Sequence, residues 1–203
     1  MVSREDLDKA YANTQAIYER RAGQFDKDRA RDGRESEWLE AFTETIPDGG
    51  HILDLGCGMG EPIAAWLIAK GYRITGVDYS EPMLEIARNR FPKGIWIHQD
   101  MRALDVTGPF DGIISWHGSF HLSTDEQRAL LPKLGGLLKS GGTLMLTIGP
   151  EEGEVTGTIG GETVYHASLA PEEYRSRLQV SGFLELTLNT NADEGPFVLI
   201  ARK

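Results

Sequence analysis

The sequence holds one cysteine, Cys57. An internal disulfide framework is therefore excluded and a reducing compartment is expected. No apolar run approaches the ~18 residues that a membrane-spanning helix needs, and the opening MVSREDLDKAYANTQ has no apolar signal segment. Basic residues are in deficit, with 21 Lys and Arg against 31 Asp and Glu, a formal charge of −10. No basic cluster offsets that charge, so nucleic acid and anionic membrane surfaces are poor partners. Internal repeats, low-complexity tracts and Ser/Pro-rich linkers are also missing. What remains, 203 residues with 40% apolar and 26% charged side chains, has the profile of one globular domain spanning 1–203. A cytoplasmic monomer or homodimer is expected.

Residues 1–46 read as a helical cover. Ser3-x-x-Asp6 is a capping signal, and Leu7, Ala10, Tyr11, Thr14, Ile17, Tyr18 and Arg21 recur at helical spacing. Trp38, Leu39, Phe42 and Ile46 mark a second amphipathic stretch, ended by Pro47-Asp48-Gly49-Gly50. From His51 to residue 203 the pattern becomes an α/β core. Strands are predicted at Ile52–Leu55, Arg73–Val77, Ile95–His98, Gly112–Ser115 and Thr143–Ile148. Helices are predicted from Pro62 to Gly71, from Ser80 to Phe91 and from the capping box Ser123-x-x-Glu126. Pro132 and Gly135-Gly136 should kink or shorten that last helix. Continuously apolar runs alternating with helices predict a doubly wound parallel sheet, a Rossmann-like three-layer sandwich. Gly149–Ala167 reads as a long Gly- and acid-rich loop suited to a lid. After a helix from Pro171 to about Val180, Phe183–Asn189 and Phe197–Ala201 flank a turn at Asn191–Pro196. So short a link permits only an antiparallel pair.

The chemistry concentrates where the first strand runs into Gly56-Cys57-Gly58-Met59-Gly60 and then a helix. Glycines there permit a tight turn and close approach of a ligand, and the helix start offers unpaired N–H groups. Alone, such a loop could be an ordinary strand–helix turn. Asp78, however, ends the second strand 20 residues after Gly58, where an acid can hold a ribose diol. Asp100 ends the third. With Asp54, three acids stand at the carboxyl ends of successive strands, the ligand side of such sheets. Glu61 occupies a position where a pyrophosphate would meet like charge. That favours an adenosine ligand without phosphates over a dinucleotide.

These segments together resemble the seven-strand, S-adenosylmethionine-dependent class I methyltransferases. The resemblance rests on Leu53-Asp-Leu-Gly-Cys-Gly-Met-Gly60, Gly76-Val-Asp-Tyr-Ser80 with Met83-Leu84, Gln99-Asp100-Met101, Phe110-Asp-Gly-Ile-Ile-Ser115 and Leu138-Lys-Ser-Gly-Gly-Thr-Leu144, in which Ser140 replaces a more usual Pro. It implies strand order 3-2-1-4-5-7-6 with one antiparallel strand, and S-adenosylmethionine as cofactor. By the same resemblance Asp54 and Gly56–Gly60 would line the methionine and adenosine site and Asp78 would hold the ribose. Tyr79 and Met83 would lie beside the adenine, Asp100 would meet its amino group with Met101 packing on the ring and Arg102 also on the cofactor, and Ser115 or Trp116 would face the methionine end.

Trp116-His-Gly-Ser-Phe-His-Leu122 follows the fourth strand on the ligand side, so His121 and His117 are candidate bases or substrate-orienting groups. His121 could equally pack beneath the following helix. Their spacing also suits a metal pair, but no third ligand is evident and no metal is expected. Tyr18, Arg21, Phe25, Phe120, Tyr165 and His166 are the substrate-side candidates, Arg21 because it could pair with a carboxylate. The expected activity is methyl transfer to a small molecule, because the chain has no length left for a second, gripping domain. Two rivals stand beside it: a protein that binds S-adenosylmethionine without turnover, and a nucleotide-dependent oxidoreductase.

Overall fold

The computed structural model describes residues 2–189 and 196–203. Ser3 caps the first helix, its hydroxyl accepting from the Asp6 N–H at 3.1 Å, and α1 runs from Arg4 to Asp28. A short α2 (Ser36–Thr43) follows. The core then alternates β1 (His51–Leu55), α3 (Ile63–Ala69), β2 (Arg73–Asp78), α4 (Glu81–Arg90), β3 (Ile95–His98), β4 (Phe110–Ser115), α5 (Thr124–Leu137) and β5 (Leu138–Ile148). A hairpin of β6 (Gly153–Ile159) and β7 (Glu162–Ser168) precedes α6 (Pro171–Val180), β8 (Glu185–Asn189) and β9 (Phe197–Arg202).

Seven strands form one sheet in the order β3-β2-β1-β4-β5-β9-β8. The first five are mutually parallel, and β9 runs antiparallel to both β5 and β8. With the separate β6–β7 pair left out of the count, this is the predicted 3-2-1-4-5-7-6 arrangement. Alternation along each strand splits the core between two faces. Leu53, Leu55, Ile113, Leu144 and Leu146 join Leu130 and Leu134 of α5 and Tyr174 and Leu178 of α6. Ile52, Ile74, Ile114 and Met145 join Leu39 and Phe42 of α2, Leu67 of α3 and Leu84 of α4. Helices cover both faces, so the parallel strands can be apolar throughout.

Three expectations change. The stretch 149–167 is not an irregular loop: seven residue pairs, Gly153 with Ser168 through Ile159 with Glu162, form an antiparallel ladder. Its tip is Gly160-Gly161, with φ of 54° and 84°, values that a two-residue hairpin turn requires and that β-branched residues resist. Helix α5 is not shortened: it carries Pro132 on its exposed face and continues to Leu137. Strand β5 accordingly begins at Leu138, five residues before the expected Thr143. The turn predicted at Asn191–Pro196 lies outside the described residues apart from Pro196.

Candidate functional site

The carboxyl ends of β1, β2 and β4 form one side of a cavity of about 230 Å³, and α1 with the β6–β7 hairpin closes it from above. The turn after β1 brings Gly56 to a φ of 75°. A Cβ on Gly56 would lie 2.9 Å from Gly118 Cα, so only glycine lets the two loops meet. Asp78, at the end of β2, accepts from the Gly58 N–H and the Ser80 N–H, each at 2.8 Å. One carboxylate thus fixes both the glycine loop and the start of α4. Burial pushes its pKa up, while these backbone donors oppose the rise.

Asp54 is more deeply enclosed. Burial, reinforced by the charge of Asp78, pushes its pKa up to about 7, and its Oδ2 has no partner among the described residues. The Trp116 indole N–H is likewise buried without an acceptor. Both residues line the cavity. Buried polar groups are normally satisfied, so an unmet acceptor and an unmet donor beside one cavity point to a ligand with both kinds of group. Cys57 is buried, and that burial raises its thiol pKa, leaving a small neutral side chain.

The opposite part of the cavity is walled by rings. Tyr18 and Phe25 come from α1, His117, Phe120 and His121 from the turn after β4, and His166 from β7. Phe120 stands 4.6 Å from His166 and 4.8 Å from His121, centre to centre, and Tyr18 stands 5.1 Å from His121. His117 takes a left-handed φ of 55°, a strained conformation for a non-glycine residue. Its N–H is held by Thr147 Oγ1 at 2.8 Å. Burial depresses the pKa values of His117 and His121 to about 4 and also lowers that of His166.

The His121 ring has a defined tautomer. Nδ1 faces the Tyr165 carbonyl at 2.8 Å, a group that can only accept, so Nδ1 carries the proton. Nε2 therefore accepts from the Tyr18 hydroxyl, also at 2.8 Å. Tyr18 of α1 and the Tyr165 carbonyl of β7, both from the roof, thus hold His121 of the turn after β4 between them in a directed chain.

Of the predicted cofactor-side residues, Asp54, Gly56, Cys57, Gly58, Met59, Asp78, Tyr79, Met83, Met101 and Trp116 line this cavity. Asp100 and Arg102 instead border an adjoining cavity of about 50 Å³, which shares Tyr79, Met101, Gly118 and His121 with the first. There the Arg102 Nε donates to Asp100 at 2.7 Å. Gly60 turns the other way, towards Phe91 and Trp96. Ser115 is fully buried and structural, donating to the Leu55 carbonyl at 2.8 Å and accepting from the Ser119 N–H at 2.9 Å.

Two substrate-side candidates, Arg21 and Tyr165, do not line this cavity. Arg21 lies outside the cavity, its guanidinium paired with Glu162 at 3.2 Å. The Tyr165 side chain is buried away from it, donating to Glu154 at 2.5 Å and packing edge-on against Tyr11; only its carbonyl serves the site. Glu61 does line the cavity, yet Arg31 and Arg90 pair with it. Its charge is compensated, which blunts the repulsion argument against a pyrophosphate.

Sequence reasoning missed Arg29 and Ile159. Arg29 lines the cavity from just past the end of α1, and Tyr18, Phe25 and Arg29 at positions i, i+7 and i+11 share one helical face, a spacing that could have revealed it. Ile159 enters on the hairpin, whose β-branched residues flanking Gly160-Gly161 are a strand–turn–strand signal. Among the described residues, no group of three His, Cys, Asp or Glu side chains could hold a metal ion.

Residues 52–142, from β1 into β5, match the family described as methyltransferase domain. Over 96 residues the chain is 35% identical to the uncharacterized methyltransferase Rv0089 of Mycobacterium tuberculosis, covering 46% of this chain and 47% of that one. It is 42% identical over 80 residues to YqeM of Bacillus subtilis, which carries a methyltransferase designation, covering 38% of this chain and 30% of that one. The chain thus spans less than half the length of these curated relatives. Among solved structures it resembles CalS10, an amino pentose methyltransferase from Micromonospora echinaspora bound to SAM, with a TM-score of 0.69, 20% identity, and 92% and 96% of the two chains covered. It also resembles the sugar N-methyltransferase KedS8 from Streptoalloteichus, with a TM-score of 0.71, 19% identity, and 89% and 92% covered. The matched segment resembles that domain, and the sheet order is that of the Rossmann-like methyltransferase structures. Here that fold is closed by α1 and the β6–β7 hairpin.

Proposed function

We propose that the protein is an S-adenosylmethionine-dependent methyltransferase acting on a small molecule. The observation that carries this reading is the union, in one cavity, of a glycine loop tied to Asp78, an unmet buried Asp54 oxygen and a wall of neutral rings. The residues present fit the cofactor. Asp54 Oδ2 suits an ammonium, the Trp116 N–H suits a carboxylate, and Asp78 with the adjacent N–H groups suits a ribose. Tyr79, Met83 and Met101 offer apolar surface for an adenine. When bound, the cofactor supplies an electrophilic methyl group on a cationic sulfur.

The chain's own work is then alignment, exclusion of water and proton transfer. Tyr18 and Phe25 shield the cavity from above. The Tyr18 hydroxyl can take a proton from an acceptor while passing its own to His121 Nε2. The Tyr165 carbonyl holds the imidazole in orientation throughout, so the proton moves along a line already formed.

Calorimetric titration with S-adenosylhomocysteine, S-adenosylmethionine and NAD tests the reading. Binding of the first two without NAD is expected, and preferential NAD binding would sink it. Cofactor binding with a methyl-facing cavity that admits no acceptor would instead favour the non-catalytic alternative.

A further inference from the structure

Resting on the methyl-transfer reading, we propose that the acceptor is a flat ring bearing a weakly acidic X–H group, a phenolic hydroxyl or a heteroaromatic N–H, and not an aliphatic ammonium. The first ground is shape. Phe120 contacts His117, His121 and His166 at centre distances of 5.5, 4.8 and 4.6 Å, so the acceptor half of the cavity is bounded by ring surfaces that favour a ring-shaped ligand.

The second ground is charge. Of the carboxylates that line the cavity, Asp54 and Asp78 stand on the cofactor side and Glu61 is paired with Arg31 and Arg90. Arg29 lines the cavity, and its guanidinium makes no hydrogen bond among the described residues. Its ion-pair partner Glu35 stands 3.7 Å away and does not line the cavity. An ammonium acceptor would therefore meet a sulfonium on one side and find no unpaired carboxylate among the rings. A neutral X–H group avoids that cost.

The third ground is the proton route. His121 Nε2 is committed to accepting, and Tyr18 is the donor it faces. In the reaction a bond forms between X and the methyl carbon while the carbon–sulfur bond breaks, its electron pair going to sulfur. The X–H proton passes to Tyr18 Oη and the Tyr18 proton to His121 Nε2, leaving an imidazolium with both N–H groups hydrogen-bonded.

The test uses the whole protein saturated with S-adenosylhomocysteine, titrated calorimetrically with 2-naphthol, indazole, cyclohexylamine and glucosamine. The expected result is that 2-naphthol or indazole binds at least about tenfold more tightly than either amine, and that Phe120→Ala weakens that binding. Equal or tighter binding of an amine, or no binding of either aromatic probe, would overturn the proposal. Failure of S-adenosylhomocysteine itself to bind would overturn the underlying methyl-transfer reading, and this inference with it.

Discussion

The two sides of the cavity are built by different physics. The sheet side is made by the backbone: parallel strands buried on both faces, a glycine turn, and a carboxylate holding two main-chain N–H groups. The roof is made by side chains. Its apolar contact is the small cluster of Leu7, Ala10, Tyr165 and Ala167 with Tyr11 beside it. Beyond that and the ring contacts of Tyr18 and His166, polar pairs hold it: Arg4 with Glu154, Arg20 and Arg21 with Glu162, and Tyr11 with Glu126. One side is therefore set mainly by backbone geometry, whereas the other depends on side-chain pairs distant in sequence. The Tyr18–His121 hydrogen bond joins the two.

Breaking that join should have the largest effect. Tyr18→Phe and His121→Gln are each expected to lower kcat by ~10²–10⁴-fold, the usual range for a lost acid–base group. The double variant should be no worse than the poorer single one, because the two act as a unit. Steady-state rates that multiply would separate the residues. Next, Leu53→Ala, at a fully buried position in β1, should cost ~2–5 kcal/mol of folding stability, readable in urea denaturation. Asp78→Ala should weaken S-adenosylhomocysteine binding by roughly 1–3 kcal/mol; unchanged affinity in calorimetry would remove Asp78 from the site.

Titration sharpens the contrast further. His117 and His121 titrate near 4 when folded and near ~6.5 when unfolded. The unfolded chain thus binds more protons between these values, and stability falls as pH drops through that window. Asp54 has the opposite sign: its folded value of about 7 lies above the ~3.9 of an unfolded Asp, so its share of stability is lost as pH rises from ~4 to ~7. Asp54→Asn should therefore gain stability over wild type across that range, and a constant difference in melting experiments would contradict the burial argument. The smallest effect is reserved for the roof's exposed pairs. Arg20→Ala, half-exposed beside Glu162, should change stability by ~0–1 kcal/mol.

Legibility in the sequence followed the same division. Asp54, Asp78 and the glycine loop could be read because a strand end, a turn and a helix start are consecutive along the chain. Strand order followed from β/α alternation and from the shortness of the final link. Arg21 was misread because its partner, Glu162, lies 141 residues away, and nothing local announces that pairing. Tyr165 was misread for a related reason: β-strand alternation turned its ring towards Tyr11 and left only its carbonyl for His121. The hairpin itself was hidden by reading Gly160-Gly161 as loop composition when it marks a two-residue turn.

A structure of the complex with S-adenosylhomocysteine tests the central claim most directly. The account predicts the ribose hydroxyls on Asp78, the amino-acid end near Asp54 and Trp116, and the sulfur facing the space bounded by Tyr18, Phe120 and His121. A ligand seated elsewhere, or bound here with its sulfur turned away from Tyr18 and His121, would contradict it.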